Sequence, residues 1–107
     1  MPLVRFSPQA IEDLIRVRNF LAEKSVAAAE KAKKEIFEKL DKLPSRPEIY
    51  KPVDDYPELR DLTIKFGAGN YIARYRYVRG QDIVILRLRH EKEDVFTDED
   101  NSIEEYK

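Results

Sequence analysis

The chain has 107 residues, of which 42% are hydrophobic and 38% are charged, and it contains no cysteine. This length predicts one domain with one small core. The lack of cysteine excludes disulfides, cysteine-containing zinc sites and a cysteine nucleophile. No apolar run approaches the roughly 18 residues of a membrane helix, and the N-terminus lacks the layout of a signal peptide. We therefore expect a cytoplasmic protein with no membrane partner.

The net charge of −1 hides an uneven distribution of charge along the chain. Residues 59–90 hold seven bases and two acids, a net charge of +5, whereas residues 91–107 hold eight acids and two bases, a net charge of −6. One interpretation is a basic binding face beside an acidic strip that screens it or tunes its choice of partner. The alternative is a solvated surface followed by a solubilising tail.

The first half of the chain predicts a strand followed by two helices. Residues 2–6 are short and apolar and predict a strand. A helix is expected over residues 8–23, because Ser7 can cap it and Pro8 suits its first position. A second helix is expected over residues 26–42. The break between the two helices is so short that they should form an antiparallel hairpin.

The second half predicts a long loop and then a sheet. Residues 44–58 contain four prolines and predict a connecting loop with extended pieces and no helix. Alternating apolar residues beyond it predict three strands, at residues 62–66, 71–78 and 83–90. The order β-α-α-β-β-β predicts an α+β fold, in which an antiparallel sheet packs one face against the helical hairpin. We expect a single domain over residues 1–96 and an acidic tail over residues 97–107.

Alternation within the last two predicted strands groups basic side chains. Arg74 and Arg76 share one face of the first of these strands. One face of the second strand carries Ile83, Ile85, Arg87 and Arg89. These arginines predict a basic patch near one end of a sheet surface, with tyrosines interleaved, suited to phosphate or nucleic-acid bases. The alternative is that the arginines pair with acids of the loop 54–61 or of the tail.

His90 is the only histidine, so a metal site built on two histidines is excluded. A lone histidine at the end of a strand is more often structural than catalytic. No G-x-S-x-G motif, phosphate-binding loop or dinucleotide-binding glycine pattern is present. We expect neither a metal nor a cofactor, and the residues alone assign no catalytic group.

Five segments in order form a recognisable set: Ser7–Leu14, Leu59–Ile64, Asn70–Tyr77, Asp82–His90 and the aromatic Phe96. They include an L-R-x-L motif, a tyrosine-rich Y-x-x-x-Y strand, and an I-L-R-x-x-H strand followed by charged residues and an aromatic. In this order they resemble the RelE/ParE toxin superfamily over about residues 1–96. The resemblance implies the toxin of a type II toxin–antitoxin system of the plasmid-stabilisation type. A cognate antitoxin would neutralise it, and operator DNA would be bound only through that antitoxin.

The superfamily contains two kinds of toxin. ParE-like members inhibit DNA gyrase, whereas RelE-like members cut mRNA on the ribosome without a metal, using basic side chains and a tyrosine or histidine as acid. Phe96 stands where many of the nucleases have a tyrosine, and it cannot donate a proton. A pI near 5.9 also argues against ribosome binding, which favours a strongly basic protein. We therefore expect a gyrase inhibitor that is not an enzyme.

Two alternatives remain open. A RelE-like endoribonuclease would use Arg74, Arg87, Arg89 and His90 as its catalytic residues. A non-toxic domain would serve only to dock the antitoxin. All three hypotheses predict an antitoxin helix or strand over a hydrophobic groove of the hairpin and sheet. The residues expected to bind the target or the antitoxin are Arg18, Phe20, Arg60, Arg74, Arg76, Arg87, Arg89, His90 and Phe96.

Overall fold

The computed structural model describes residues 2–67 and 69–91. In chain order its elements are β1 (Val4–Phe6), α1 (Pro8–Lys24), α2 (Val26–Asp41), a 3-10 turn (Leu43–Ser45), β2 (Pro52–Val53), β3 (Tyr56–Phe66), β4 (Gly69–Arg76) and β5 (Ile83–His90). Phe96, the domain boundary expected beside it and the acidic tail at 97–107 lie outside the described residues. None of the described helices is long and apolar enough to cross a membrane.

The two helices begin and end where the local signals predict, to within about one residue. The Ser7 hydroxyl accepts a hydrogen bond from the Ala10 amide, and Pro8 opens α1. Ser25 closes one helix and opens the next: its amide donates to the Leu21 carbonyl, and its hydroxyl accepts from the Ala28 amide. A single residue therefore joins α1 to α2, and the predicted hairpin is confirmed.

The sheet has five strands in the order β1-β5-β4-β3-β2. The predicted meander of β3, β4 and β5 is antiparallel, as expected. The sequence assigned no partner to β1, which pairs with β5 in parallel, with Val4 opposite Ile83, so the sheet as a whole is mixed. Because β3, β4 and β5 alternate in direction, β1 runs in the same direction as both β3 and β5.

The predicted loop at 44–58 is also shorter than the sequence suggested. Its last part contains β2, which pairs with the start of β3, and β3 already begins at Tyr56. The sequence does not indicate this pairing, because proline is rare in strands, although Pro52 is compatible with an edge strand.

The helices cover one face of the sheet, and the core lies between these two layers. The side chains of the core cluster are Ala10 and Val17 from α1, Ile36 and Leu40 from α2, Leu43 from the 3-10 turn, Leu62 and Ile64 from β3, Tyr71, Ala73 and Tyr75 from β4, and Ile83, Ile85 and Leu88 from β5. The α+β architecture expected from the sequence is confirmed.

A register shift in β5 corrects the predicted faces of that strand. Tyr75 of β4 lies opposite Ile85, whereas the preceding Arg74 lies opposite Arg87, so Leu86 is an extra residue. Such a bulge resets the alternation of side chains. Ile85 therefore faces the core and Arg87 faces away from it. The expectation that Ile83, Ile85, Arg87 and Arg89 share one face was wrong.

Candidate functional site

Arg74 and Arg87 form the centre of the predicted basic patch, and the sheet sets them side by side. Asp61, Arg74 and Arg87 lie directly opposite one another on β3, β4 and β5. Arg74 donates from Nε and Nη2 to the two carboxylate oxygens of Asp61, at 2.8 and 2.9 Å, and its side chain is 12% exposed. This two-point pairing fixes the guanidinium plane. For Arg74, this pairing agrees with the alternative hypothesis that the arginines pair with acids of residues 54–61.

Arg87 is held from the other side, by a carboxylate on α1. Asp13 is 4% exposed and accepts hydrogen bonds from Nε and Nη2 of Arg87, at 2.8 and 3.2 Å. It also accepts from the Leu88 amide at 2.8 Å and from Arg16 at 3.3 Å. A buried carboxylate needs such a set of donors to offset its lost hydration. Asp13 therefore links α1 to the second half of β5, which extends past the residues that pair with β1.

The remaining arginines of the patch, Arg76 and Arg89, each donate from a terminal guanidinium nitrogen to nearby acceptors. Nη2 of Arg76 donates to the Gln81 side-chain oxygen at 2.9 Å, beside the turn that leads to β5. Nη1 of Arg89 donates to the backbone carbonyls of His90 and Glu91, each at 3.2 Å. The structure thus brings the four arginines of β4 and β5 onto one surface, where each is bonded to other parts of the chain.

Arg60 lies apart from the other arginines. It is opposite Tyr75, on the side of the sheet that faces the core, and it donates to the backbone carbonyls of Glu48 and Tyr50. The Tyr75 hydroxyl donates to the carbonyl of Pro47 at 2.7 Å. Burial raises the pKa of Tyr75 to about 12, so this tyrosine keeps its proton at neutral pH. The two side chains clamp the loop that precedes β2.

A charged pair extends this clamp at the surface. Arg79 donates to a Glu48 carboxylate oxygen at 2.8 Å, and this hydrogen bond holds the pKa of Glu48 below its usual value. The Arg79 side chain is 85% exposed and that of Glu48 is 41% exposed, so the pair contributes little to stability.

His90 lies on the opposite face of the sheet from Arg74 and Arg87. It is opposite Tyr71, a core residue, and the two rings meet edge to face with 5.2 Å between their centroids. A β-carbon at Gly69 would come within 2.4 Å of His90 Nε2, so the imidazole rests on a backbone that has no side chain at that point. The structure does not bring His90 together with Arg74 and Arg87.

An apolar groove runs over the helical hairpin. Its volume is about 350 Å³, and it is lined by Phe6 of β1, by Ile11, Leu14, Ile15, Val17, Arg18 and Leu21 of α1, and by Ala29, Ala32, Lys33, Ile36 and Phe37 of α2. The broad apolar face predicted for α1 is thus divided: Val17 is buried, whereas Ile15 is 54% exposed. This division could have been read from the sequence, because the apolar face of α1 is wider than one core contact requires.

Of the two residues singled out on α1, Arg18 belongs to the lining of the groove and Phe20 does not. Arg18 lines it and forms an ion pair with Glu30 of α2, with 3.1 Å between nitrogen and oxygen. Phe20 is 54% exposed and carries the Lys24 ammonium 4.8 Å from its ring centroid. Antitoxin contact with this surface stays a prediction.

Within residues 2–67 and 69–91, no group of three or more histidine, cysteine, aspartate or glutamate side chains is placed to hold a metal ion.

Matches to known proteins include a family model, a relative and a solved structure. A family model described as the ParE toxin of the type II toxin–antitoxin system parDE matches residues 4–95. Toxin RelE3 of Caulobacter vibrioides is 30% identical over 93 residues, which cover 87% of this chain and 98% of that protein. The solved structure of a chromosomal ParDE TA system from P. aeruginosa has a TM-score of 0.66 at 23% identity, covering 84% of this chain and 96% of that chain. The last match shows likeness of fold.

Proposed function

Since this chain belongs to the ParE toxin family of type II toxin–antitoxin systems, we propose that it stops growth by inhibiting DNA gyrase. Membership of the family implies a cognate antitoxin as partner. The cytoplasm, where gyrase acts, is the location that this proposal requires.

The placement of His90 is the observation that carries the proposal. Cleavage of RNA without a metal needs a base at the 2′-hydroxyl and an acid at the leaving oxygen, both within hydrogen-bond reach of one phosphate. Here His90 lies on the core-facing side of the sheet, against Tyr71, and the arginines lie on the other side. Arg74 and Arg87 each form an ion pair with a carboxylate, so the positive charge that would bind a phosphate is already neutralised. This arrangement favours a binding toxin over a nuclease.

A ribosome-dependent endoribonuclease is the second candidate. It is favoured by the net charge of +5 over residues 59–90 and by the likeness to a protein named Toxin RelE3. In that case Arg74, Arg87, Arg89 and His90 would all have to contact one RNA. His90 would have to leave the core-facing side of the sheet, and Arg74 and Arg87 would have to be drawn away from their carboxylates.

A pair of assays on purified protein separates the two candidates. We expect inhibition of gyrase supercoiling by the wild-type chain and by His90→Gln, because that histidine packs structurally and glutamine has a similar volume. We expect no codon-dependent mRNA cleavage on ribosomes. Ribosomal cleavage that disappears in His90→Gln, together with unaffected gyrase, would establish the nuclease instead. Unimpaired growth on expression without the antitoxin would favour a docking domain that is not toxic.

A further inference from the structure

The groove over the helical hairpin leaves apolar side chains in contact with water. Ile11 and Ile15 of α1 are about half exposed, and Phe6 and Phe37 meet edge to face beside them, with 5.8 Å between ring centroids. An exposed concave apolar surface of this kind gains free energy when another segment covers it. Its occupant therefore has to bring apolar side chains.

The charges along the groove restrict the occupant further. Among the described residues that line the groove, two are charged, and both are cations: Arg18 of α1 and Lys33 of α2. Arg18 has an acidic neighbour in Glu30, but both partners of that pair are about half exposed, so the attraction is weak. A segment that combines apolar and acidic residues fits this lining best.

Residues 92–107 of this chain have that composition. They contain seven acids and two bases, together with the apolar or aromatic residues Val95, Phe96, Ile103 and Tyr106. Arg74 and Arg87 of the sheet attract this segment less strongly, because each already has a carboxylate partner.

The last described strand runs beside α1, the helix that forms one wall of the groove. Arg16 of α1 donates to the Leu88 carbonyl at 3.1 Å, so the end of β5 lies beside the middle of that helix. The next residue of α1, Val17, lines the groove. An extended chain advances about 3.3 Å per residue, so the five residues from Glu91 to Phe96 can span about 16 Å. That reach is enough to pass over one helix, whose diameter with side chains is about 10 Å.

We propose that residues 92–107 fold back over α1 and occupy the groove in the free chain, with Phe96 and Ile103 against its apolar floor and the acids near Arg18 and Lys33. The groove is then self-covered until a tighter partner displaces the segment. This inference does not depend on gyrase being the target.

A spin label tests the proposal on the full-length chain. Because the sequence has no cysteine, Ser102→Cys creates a single thiol that can carry a nitroxide next to Ile103. We expect loss of NMR intensity at the amides of groove residues such as Ala29 and Ala32, and full intensity at Thr63 on the far side of β3. Intensity loss at Ile72 and Arg89 instead would place the segment on the arginine surface and overturn the proposal. Uniform intensity would also overturn it.

Two further measurements identify the cause. Ser102→Cys combined with Phe96→Ser and Ile103→Ser should restore the Ala29 and Ala32 signals, and Lys33→Glu should restore them in part. A mixture of labelled, isotopically silent chain with unlabelled, isotope-enriched chain should show no loss. Loss in the mixture would mean that a second copy fills the groove, and the proposal would be wrong.

Discussion

The two sides of helix α1 differ in how completely the other described elements bury them and form hydrogen bonds with them. The inner side is fixed to β5 by the buried Asp13 and by Arg16, and Val17 enters the core. The outer side carries Ile11 and Ile15 into the groove with half of their surface exposed. The inner side is therefore specified by the fold itself, whereas the outer side is apolar beyond what the described fold uses. That surplus marks a surface for binding.

The strongest way to break this comparison is to remove Asp13. Asp13→Ala leaves the largely buried Arg87 without its carboxylate and the Leu88 amide without its acceptor. We expect the free energy of unfolding to fall by about 3 kcal/mol or more, measured by urea denaturation. Glu30→Ala is the matched control, because it breaks the exposed pair with Arg18 and should cost about 0–1 kcal/mol. Equal losses from the two variants would show that the inner side is not specially fixed.

A smaller loss is expected at the contact between Gly69 and His90. Gly69→Ala places a methyl group 2.4 Å from the imidazole nitrogen, so the ring has to move from Tyr71. We expect a cost of about 1–3 kcal/mol by thermal or urea unfolding. Gly69→Ala should lower the free energy of unfolding much less in a His90→Ala background, because the ring that the new methyl group would meet is absent. An additive double variant would contradict a purely steric origin.

The loop clamp should respond to alkaline pH. Tyr75→Phe removes the hydrogen bond to the Pro47 carbonyl and should cost about 1 kcal/mol at neutral pH. The pKa of Tyr75 is raised from 10.0 to about 12 in the fold, so its contribution is complete below pH 10 and is lost as pH rises to about 12. Unfolding at pH 9 and pH 11.5 should show a smaller fall in stability for Tyr75→Phe than for wild type. An identical fall would rule out Tyr75 as its source.

The smallest effect is expected on the outer side of α1. In the Phe96→Ser, Ile103→Ser background, in which residues 92–107 should no longer cover the groove, Ile15→Ala should change the free energy of unfolding by less than about 0.5 kcal/mol, because that side chain is 54% exposed in the described fold. Val17→Ala, two residues away and 5% exposed, should cost roughly 2 kcal/mol. Urea unfolding of both variants sharpens the comparison directly. A large loss from Ile15→Ala would mean that the outer side already contributes to the fold.

The sequence predicted what depends on neighbours along the chain. Ser7 and Ser25 cap the helices as expected, since a hydroxyl and an amide three residues apart meet in any helix start. The partner of β1 was not predictable in this way, because its pairing with β5 joins residues about 79 positions apart. Local alternation contains no signal for such a contact.

The candidate site shows the same limit more sharply. Alternation placed Arg74 and Arg76 on one face correctly, but the extra residue Leu86 moved Ile83 and Ile85 to the face opposite Arg87. A bulge adds one residue and leaves the composition of a strand unchanged, so the sequence pattern does not reveal it. Asp13 was missed for a related reason: a single acid on a helix looks solvated until tertiary packing buries it.

The joint at Ser25 has a consequence for molecular recognition. One residue serves both helices, so the hairpin has no connecting loop that could lengthen, hinge or be cut. Opening the groove would cost cap hydrogen bonds at both helix ends, and the distance between the helices is set before anything binds. The groove is therefore preorganised and loses little conformational entropy when a segment binds, so the occupant has to adapt its shape to the groove.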